Sequence, residues 1–289
     1  MNLARLYAPT NAQRAYEIAK TAYKLAPDNN DLCRLYGNLA GRVGDYKLAA
    51  NLLQQVAQSQ SDSAPVLFDF AQAAVRIGLI SDAKTALQSA LTLNLPASQS
   101  EAARQMLEWM QLADNPTLAL AASARVAEYL KAKPDDVLAL TVSSVISAAQ
   151  GETATAATIA EKILASYPDF IPAQRQLVLL YAADPDKAKT DRLYSFANKA
   201  RGIYPDDAAL TKAFGIILLQ RSEYGRAASQ LKSIADTMTN DAEWFYYLGT
   251  AQYRLNKRTE SKANLQQSLD LNLTGDRVDT AKQMLNDLK

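Results

Sequence analysis

The stretch LNLPASQSEAARQMLEWM, residues 93–110, occurs a second time with few changes as LNLTGDRVDTAKQMLNDLK, residues 271–289. Both stretches open with Leu-Asn-Leu, and both carry Ala-(Arg/Lys)-Gln-Met-Leu at the same offset. Their first residues, at positions 93 and 271, are 178 positions apart, which is too far for a local motif. Similarity at such a distance is typical of an internal repeat, so we expect a periodic unit between the two stretches.

Residues at the start of an apolar stripe, all but one of them small, mark the repeat. They are Ala15, Ala49, Ala83, Ala122, Ala156, Leu193, Ala227 and Ser261. Five of the seven intervals are 34 residues long, and the other two are 39 and 37. A period of 34 is typical of solenoids that stack helix-turn-helix units. Insertions near 98–102 and 184–192 account for the two longer intervals.

The hydrophobic pattern predicts two helices in each unit. Stretches of about 12–15 residues carry apolar positions at i, i+3, i+4 and i+7, and Gly or short polar turns separate them. Pro-Asp pairs, which we expect to end one helix and cap the next, occur at 27–28, 134–135, 168–169 and 205–206. Small residues allow two helices to approach to the lower end of the usual range of about 8–10 Å. We therefore predict an all-α fold.

The same residues resemble the tetratricopeptide repeat (TPR) family, whose pattern runs from an aromatic residue through Leu-Gly and Ala to a closing Pro. The last unit carries Leu248-Gly249 after Trp244 and Phe245. In YGNLAGRVGDYKLAANLLQQV, residues 36–56, the matching positions are Gly37, Gly44, Asp45, Tyr46 and Ala49. The resemblance covers nearly the whole chain. It implies a right-handed α-solenoid of antiparallel helix pairs with a concave groove.

The repeat suggests three segments. Residues 1–29 form a partial N-terminal repeat, residues 30–275 form about seven TPR-like repeats, and residues 276–289 form a C-terminal capping helix. Because Met1 falls inside the first helix of a unit, we expect the chain to be the C-terminal part of a longer array. The location would then be periplasmic or envelope-associated, whereas a complete chain would be cytoplasmic.

The composition excludes several functions. Lys and Arg number 31 and Asp and Glu 30, without a basic block, which argues against nucleic-acid binding. The chain has no histidine, and so lacks the commonest general base and metal ligand. Its single cysteine, Cys33, excludes an internal disulfide, and we expect it to be buried in a helix core. No stretch is apolar enough to span a membrane. We predict no catalytic residues, no cofactor and no metal.

Three function classes remain open after these exclusions. The leading one is a non-catalytic protein-binding scaffold. The alternatives are an RNA-binding helical repeat and an enzyme that uses carboxylates only. The alanine- and glutamine-rich repeats, with their Ala-x-x-Met-Leu-x-x-Leu ending, resemble TPR arrays of bacterial envelope and exopolysaccharide secretion systems.

The family resemblance implies which side chains line the groove. They are Arg34, Asn38, Arg42, Phe68, Gln72, Arg76, Val145, Arg175, Leu179, Lys212, Ile216, Leu219, Tyr246 and Tyr253. The N-terminal members are basic and the middle ones are largely apolar. We therefore expect the partner to be a protein or peptide segment that is partly acidic and partly apolar.

Arg34 and Asn38 are similar to the first two residues of the carboxylate clamp found in chaperone-binding members of the family. Asp69 stands where that clamp needs Asn, and Gln105 and Glu108 stand where it needs cations. We therefore do not expect a chaperone clamp.

Overall fold

The computed structural model describes residues 1–183 and 187–289, and the side chains of 187–189 lie outside the description. The insertion predicted near 184–192 therefore lies partly outside the described residues. The chain divides into two compact units, residues 1–170 and residues 171–289, here called unit 1 and unit 2.

Unit 1 contains eleven helices in its described residues. They are α1 (Asn2–Tyr7), α2 (Ala12–Leu25), α3 (Asn30–Arg42), α4 (Tyr46–Ser59), α5 (Ala64–Arg76), α6 (Ile80–Thr92), α7 (Ala97–Asp114), α8 (Pro116–Ala121), α9 (Ser123–Ala132), α10 (Val137–Ala149) and α11 (Thr153–Ser166). In this unit α3 packs against α4, α5 against α6, and α10 against α11.

Unit 2 continues the alternation of paired helices. It contains α12 (Ile171–Tyr181), α13 (Lys187–Ile203), α14 (Ala208–Gln220), α15 (Tyr224–Lys232), a 3-10 turn (Ala235–Thr237), α16 (Ala242–Arg254), α17 (Arg258–Asp270) and α18 (Arg277–Asp287). The pairs are α12 with α13, α14 with α15, and α16 with α17, while α18 packs on both α16 and α17. The prediction of an all-α fold is confirmed for the described residues.

A glycine marks the crossing point of three helix pairs. In each case a leucine sixteen residues further on occupies the space that a Cβ atom would need if the glycine were replaced by another residue. The nearest approach of that Cβ to the leucine Cγ would be 2.9 Å for Gly37 and Leu53, 2.7 Å for Gly215 and Leu231, and 2.9 Å for Gly249 and Leu265. Real Cβ atoms do not come so close, so only glycine allows these helices to touch. This recurring small-residue contact makes the fold TPR-like.

The small residues of the second helices are buried as the repeat requires. Ala49, Ala83, Ala156, Ala227 and Ser261 have no exposed surface. The Ser261 hydroxyl is also satisfied, because it donates to the carbonyl oxygen of residue 249 at 2.9 Å. These positions were identified by the 34-residue spacing alone.

The segment from 97 to 136 departs from the repeat. Helix α7 is 18 residues long and contains the insertion predicted near 98–102. The second helix of this unit is broken into α8 and α9, and Ala119 is fully buried whereas Ala122, the expected small residue, is partly exposed. Met110 stands at the crossing position and is 1% exposed. A buried side chain of that size prevents the close crossing seen at glycine, and α10 packs against α7, α8 and α9 instead.

The duplicated stretch that begins Leu-Asn-Leu is a helix ending. Asn94 and Asn272 have φ of 59° and 61°, the left-handed conformation that asparagine tolerates better than most residues. The leucines that follow them, Leu95 and Leu273, are 6% and 7% exposed and anchor the turn to the core. The repeated letters therefore encode the same turn and the start of the next helix, α7 in one case and α18 in the other.

The residue that caps the next helix comes one position later than the Pro-Asp pairs predicted. Asn29, Asp136 and Asp207 cap α3, α10 and α14 by accepting a hydrogen bond from a backbone N–H in the first turn. Each follows the aspartate of a Pro-Asp pair, so that aspartate lies in the turn and the next residue satisfies the helix end.

Candidate partner-binding groove

Unit 1 contains a groove of about 430 Å³ that is lined by α3, α4 and α5 together with α7, α9 and the start of α10. Four of the residues predicted to line a groove, Asn38, Arg42, Gln72 and Arg76, meet on its wall. We call it the unit 1 groove.

Helical spacing explains why these four side chains share the groove. Asn38 and Arg42 are four residues apart on α3, and Gln72 and Arg76 are four apart on α5, so each pair lies on one face of its helix. The other faces of α3 and α5 are buried in the helix packing. Arg42 and Arg76 are also the last residues of their helices, where a cation complements the partial negative charge of the helix end.

The opposite wall was not predicted from the sequence. It includes Gln105 and Trp109 of α7, Tyr129 of α9, and Lys133, the residue that follows α9. The groove positions predicted from the sequence belong to the first helix of each unit, whereas α9 is part of a second helix. Tyr129 and Lys133 lie after the break between α8 and α9. The spacing of the repeat gives no signal of that break.

Asp69 in this groove is neutralised from within the chain. Its Oδ2 accepts hydrogen bonds from Arg34 Nε at 2.7 Å and from Asn38 Nδ2 at 2.9 Å. The side chain of Asp69 is 12% exposed, so both contacts are partly shielded from water. The two donors that resemble a carboxylate clamp therefore already hold a carboxylate of the next repeat.

Two cations of the groove have no such partner. Arg42 is exposed and makes no ion pair or hydrogen bond within the described part of the chain. Lys133 is also exposed, and its ammonium lies 5.1 Å from the ring centroid of Tyr129 without a carboxylate partner among the described residues. The nearby carboxylate of Asp136 accepts from the Ala139 N–H at 3.0 Å and from the Tyr129 hydroxyl at 3.2 Å. The groove thus keeps uncompensated positive charge.

A third cation, Arg76, contacts a residue from the far end of unit 1. Its Nη1 donates to the Tyr167 hydroxyl, and its guanidinium lies 5.2 Å from the centre of the Tyr167 ring. Burial raises the pKa of the Tyr167 phenol above its ordinary value, although the Arg76 charge lowers it. The Tyr167 hydroxyl is therefore a neutral acceptor for the Arg76 N–H.

The same segment also touches the start of α4. The Tyr167 ring lies 5.1 Å from the Tyr46 ring, centre to centre, and Asp169 forms an ion pair with Lys47 at 2.8 Å. The hydrogen bond to Asp169 raises the pKa of Lys47. We call Tyr46, Lys47, Tyr167 and Asp169 the clasp.

The basic groove positions predicted in unit 2 connect neighbouring repeats. Arg175 Nε lies 2.5 Å from Asp207 Oδ2, and Lys212 Nζ lies 2.7 Å from Asp241 and 3.2 Å from Glu243. Asp207 and Asp241 also cap α14 and α16. These cations hold carboxylates that stabilise the next helix start.

The remaining predicted positions divide by burial. Phe68, Ile216 and Tyr246 are 4%, 6% and 9% exposed, so their side chains belong to the helix packing. The others, Val145, Leu179, Leu219 and Tyr253, are partly exposed. Of the apolar middle positions that the sequence suggested, only Ile216 is therefore buried, and Val145, Leu179 and Leu219 keep some exposed surface.

Cys33 has the buried position that its place in α3 predicted. It is 1% exposed, its thiol donates to the carbonyl oxygen of Pro27 at 3.0 Å, and burial raises its pKa. Elsewhere in residues 1–183 and 187–289, no group of three or more Cys, Asp or Glu could hold a metal ion. Among the helices of the described ranges, none combines the length and the hydropathy needed to cross a bilayer.

No protein-family model matches the chain, and no curated protein matches it. Solved structures with a similar backbone include the TPR domain of P58(IPK), at 12% identity and a TM-score of 0.43, with 99% of this chain and 96% of the other covered. A tetratricopeptide repeat protein from Parabacteroides merdae has 13% identity, the same coverages and a TM-score of 0.39. YrrB, described as a TPR protein with an unusual peptide-binding site, has 14% identity, coverages of 81% and 100%, and a TM-score of 0.41. The function is therefore argued from this chain's own groove.

Proposed function

We propose that the chain is a non-catalytic protein-binding scaffold and that the unit 1 groove binds a short acidic segment of its partner. One observation carries the proposal. Arg42 and Lys133 face the groove without a carboxylate partner in the described part of the chain, while Asp69 and Asp136 are bound internally.

The chemistry of the wall favours carboxylates as ligands. A guanidinium presents several N–H donors in one plane, and its hydrogen bonds to carboxylates are stronger than those between neutral groups. The polar amides of Gln72 and Gln105 stand beside these cations and can bond to a peptide backbone. An acidic, extended segment uses both kinds of contact.

Burial limits which of the predicted apolar positions an external partner can contact. Because Ile216 is buried, it is not available to an external ligand. Val145, Leu179 and Leu219 keep some exposed surface, so an apolar contribution from the partner stays a prediction at those positions. The acidic part of the partner is the part that the groove supports.

The proposal also includes a biological setting. The resemblance of the repeat ending to arrays of bacterial envelope and exopolysaccharide secretion systems supports a partner from such a system. The near balance of charge supports a protein partner over RNA, since RNA-binding repeats need a basic groove.

Binding of fluorescein-labelled hexaglutamate, followed by anisotropy at low salt, tests the groove. The double variant Arg42→Glu and Lys133→Glu removes two attractions and adds two repulsions. At about 0.2–1 kcal/mol each, these changes weaken binding by at least about 0.8 kcal/mol, or roughly fourfold. The matched control is Lys24→Glu with Lys84→Glu, which changes the net charge equally at exposed residues outside the groove.

The proposal predicts that the control keeps most of the affinity and that both variants keep their helical circular dichroism. Equal losses in the two variants would show that net charge, and not the groove, attracts the peptide. Tighter binding of labelled hexalysine than of hexaglutamate would contradict the assigned sign of charge.

A further inference from the structure

We infer that the clasp closes the unit 1 groove and that a partner segment without a free end enters only when the clasp opens. The inference rests on the proposed function of the groove. It adds a constraint on the partner: free chain ends enter readily, whereas an internal segment between folded parts depends on clasp opening.

The contacts place the clasp at the edge of the groove. Tyr46 and Arg76 both line the groove, and Tyr167 touches both of them. Arg76 and Tyr167 are 91 residues apart, so the contact joins distant repeats of unit 1. Neighbouring repeats contact each other in any solenoid, but this contact skips the repeats between them.

The clasp joins side chains that are exposed or only partly buried. The side chains of Lys47 and Asp169 are 71% and 44% exposed, and an ion pair of that kind contributes little and is screened by salt. Tyr46 and Tyr167 are both only partly buried. Separating exposed or half-buried side chains of this kind costs less than separating a packed helix pair.

Arg76 links the clasp to the contents of the groove. Its guanidinium donates to the neutral oxygen of Tyr167 in the closed state. A carboxylate of a bound segment is the better acceptor for the same N–H groups, because hydrogen bonds between opposite charges are stronger than those to a neutral oxygen. An acidic segment in the groove therefore competes with Tyr167, which favours the open clasp.

A removable covalent bridge tests the inference. In the variant Lys47→Cys with Asp169→Cys, a short bis-maleimide with a cleavable disulfide spacer joins the two positions. The one native cysteine, Cys33, is buried and does not compete for the reagent. The matched control carries the same bridge at Glu243→Cys with Arg277→Cys, which replaces an ion pair of 2.7 Å in unit 2, outside the groove and the clasp.

Two probes are compared by stopped-flow anisotropy: free hexaglutamate, and hexaglutamate fused between two small globular carriers. The bridged clasp should slow association of the doubly blocked probe at least about tenfold and leave the free peptide within about twofold. Cleavage of the spacer should restore the rate, and the control bridge should leave both rates unchanged.

The outcomes separate the two proposals. If the free peptide does not bind the wild-type chain, the proposed function fails. If the free peptide binds and the bridged clasp admits both probes at equal rates, the clasp inference alone is overturned. The variant Tyr167→Ala provides an independent check, because loss of the ring contact should speed association of the blocked probe at least about threefold. An unchanged rate in that variant would also overturn the inference.

Discussion

The contact between Gly37 and Leu53 allows a quantitative test of the repeat geometry. Replacing Gly37 with Ala places a Cβ 2.9 Å from Leu53 Cγ and 3.3 Å from Leu52 Cβ. Leu53 is 2% exposed, so its side chain has to shift within the helix packing to accept that Cβ. Gly41, one turn further along α3, is the matched control, because its Cβ would lie 3.7 Å from Ala49, an ordinary contact.

The two substitutions share one contribution to stability, helix propensity, and differ in another, overpacking. Alanine is favoured over glycine inside a helix by about 0.8–1.0 kcal/mol, and both variants gain most of this. Overpacking costs about 1–3 kcal/mol, and only Gly37→Ala incurs it. We therefore expect Gly41→Ala to stabilise α3 by up to about 1 kcal/mol. The Gly37→Ala variant should be less stable than the Gly41→Ala variant by about 1–3 kcal/mol.

Amide hydrogen exchange of peptides from α3 and α4, read by mass spectrometry, measures these opening free energies locally. Local measurement suits a chain of two compact units, where one unfolding midpoint does not report one transition. If the amides of α3 and α4 are equally protected from exchange in the two variants, Gly37 does not mark a close helix crossing. The repeat geometry described above would then be wrong.

Three further predictions concern single side chains. Buried Cys33 should react with a thiol reagent at pH 8 at least about 100-fold more slowly in the folded chain than in denaturant, and reaction on mixing would contradict its burial. The pKa of Glu223 is lowered chiefly by its hydrogen bond from Arg221, so the ionised carboxylate stabilises unit 2 above the ordinary glutamate pKa of about 4.3 and loses that effect as pH falls through the lowered value. The stability difference between wild type and Glu223→Gln should therefore shrink below pH of about 4. A difference that stays constant with pH would rule out the ionic contribution. Asp69→Ala should free Arg34 for a ligand and tighten hexaglutamate binding by about 2- to 10-fold, whereas unchanged or weaker binding would show that Arg34 does not reach the groove contents.

The sequence predicted the features that depend on local pattern. The 34-residue spacing located the buried small residues of the second helices, and the family resemblance named Asn38, Arg42, Gln72 and Arg76 as groove positions, all four of which line the unit 1 groove. The duplicated Leu-Asn-Leu stretch corresponds to one kind of helix ending, because asparagine and a buried leucine are both required there.

Features that depend on how repeats stack were not predicted. The bond between Arg34 and Asp69 joins residues 35 positions apart, and neither residue alone shows that the pair will form. Met110 is buried at one helix crossing, the second helix of that unit is divided into α8 and α9, and Lys133 lines the groove, none of which the repeat spacing indicates. Three of the four Pro-Asp pairs gave the helix boundary correctly to within one residue, since the capping oxygen comes from the residue that follows the pair.

The most direct test of the proposed function is to locate a bound acidic segment. A hexaglutamate peptide with a benzophenone at one end, irradiated with the wild-type chain and mapped by mass spectrometry, reports the surface that it contacts. The account predicts cross-links to α3, α5, α7 and the residues around Lys133, and their loss in the Arg42→Glu and Lys133→Glu variant but not in the Lys24→Glu and Lys84→Glu control. Cross-links spread over α6, α11 and unit 2, unchanged in both variants, would contradict the unit 1 groove as the partner-binding site.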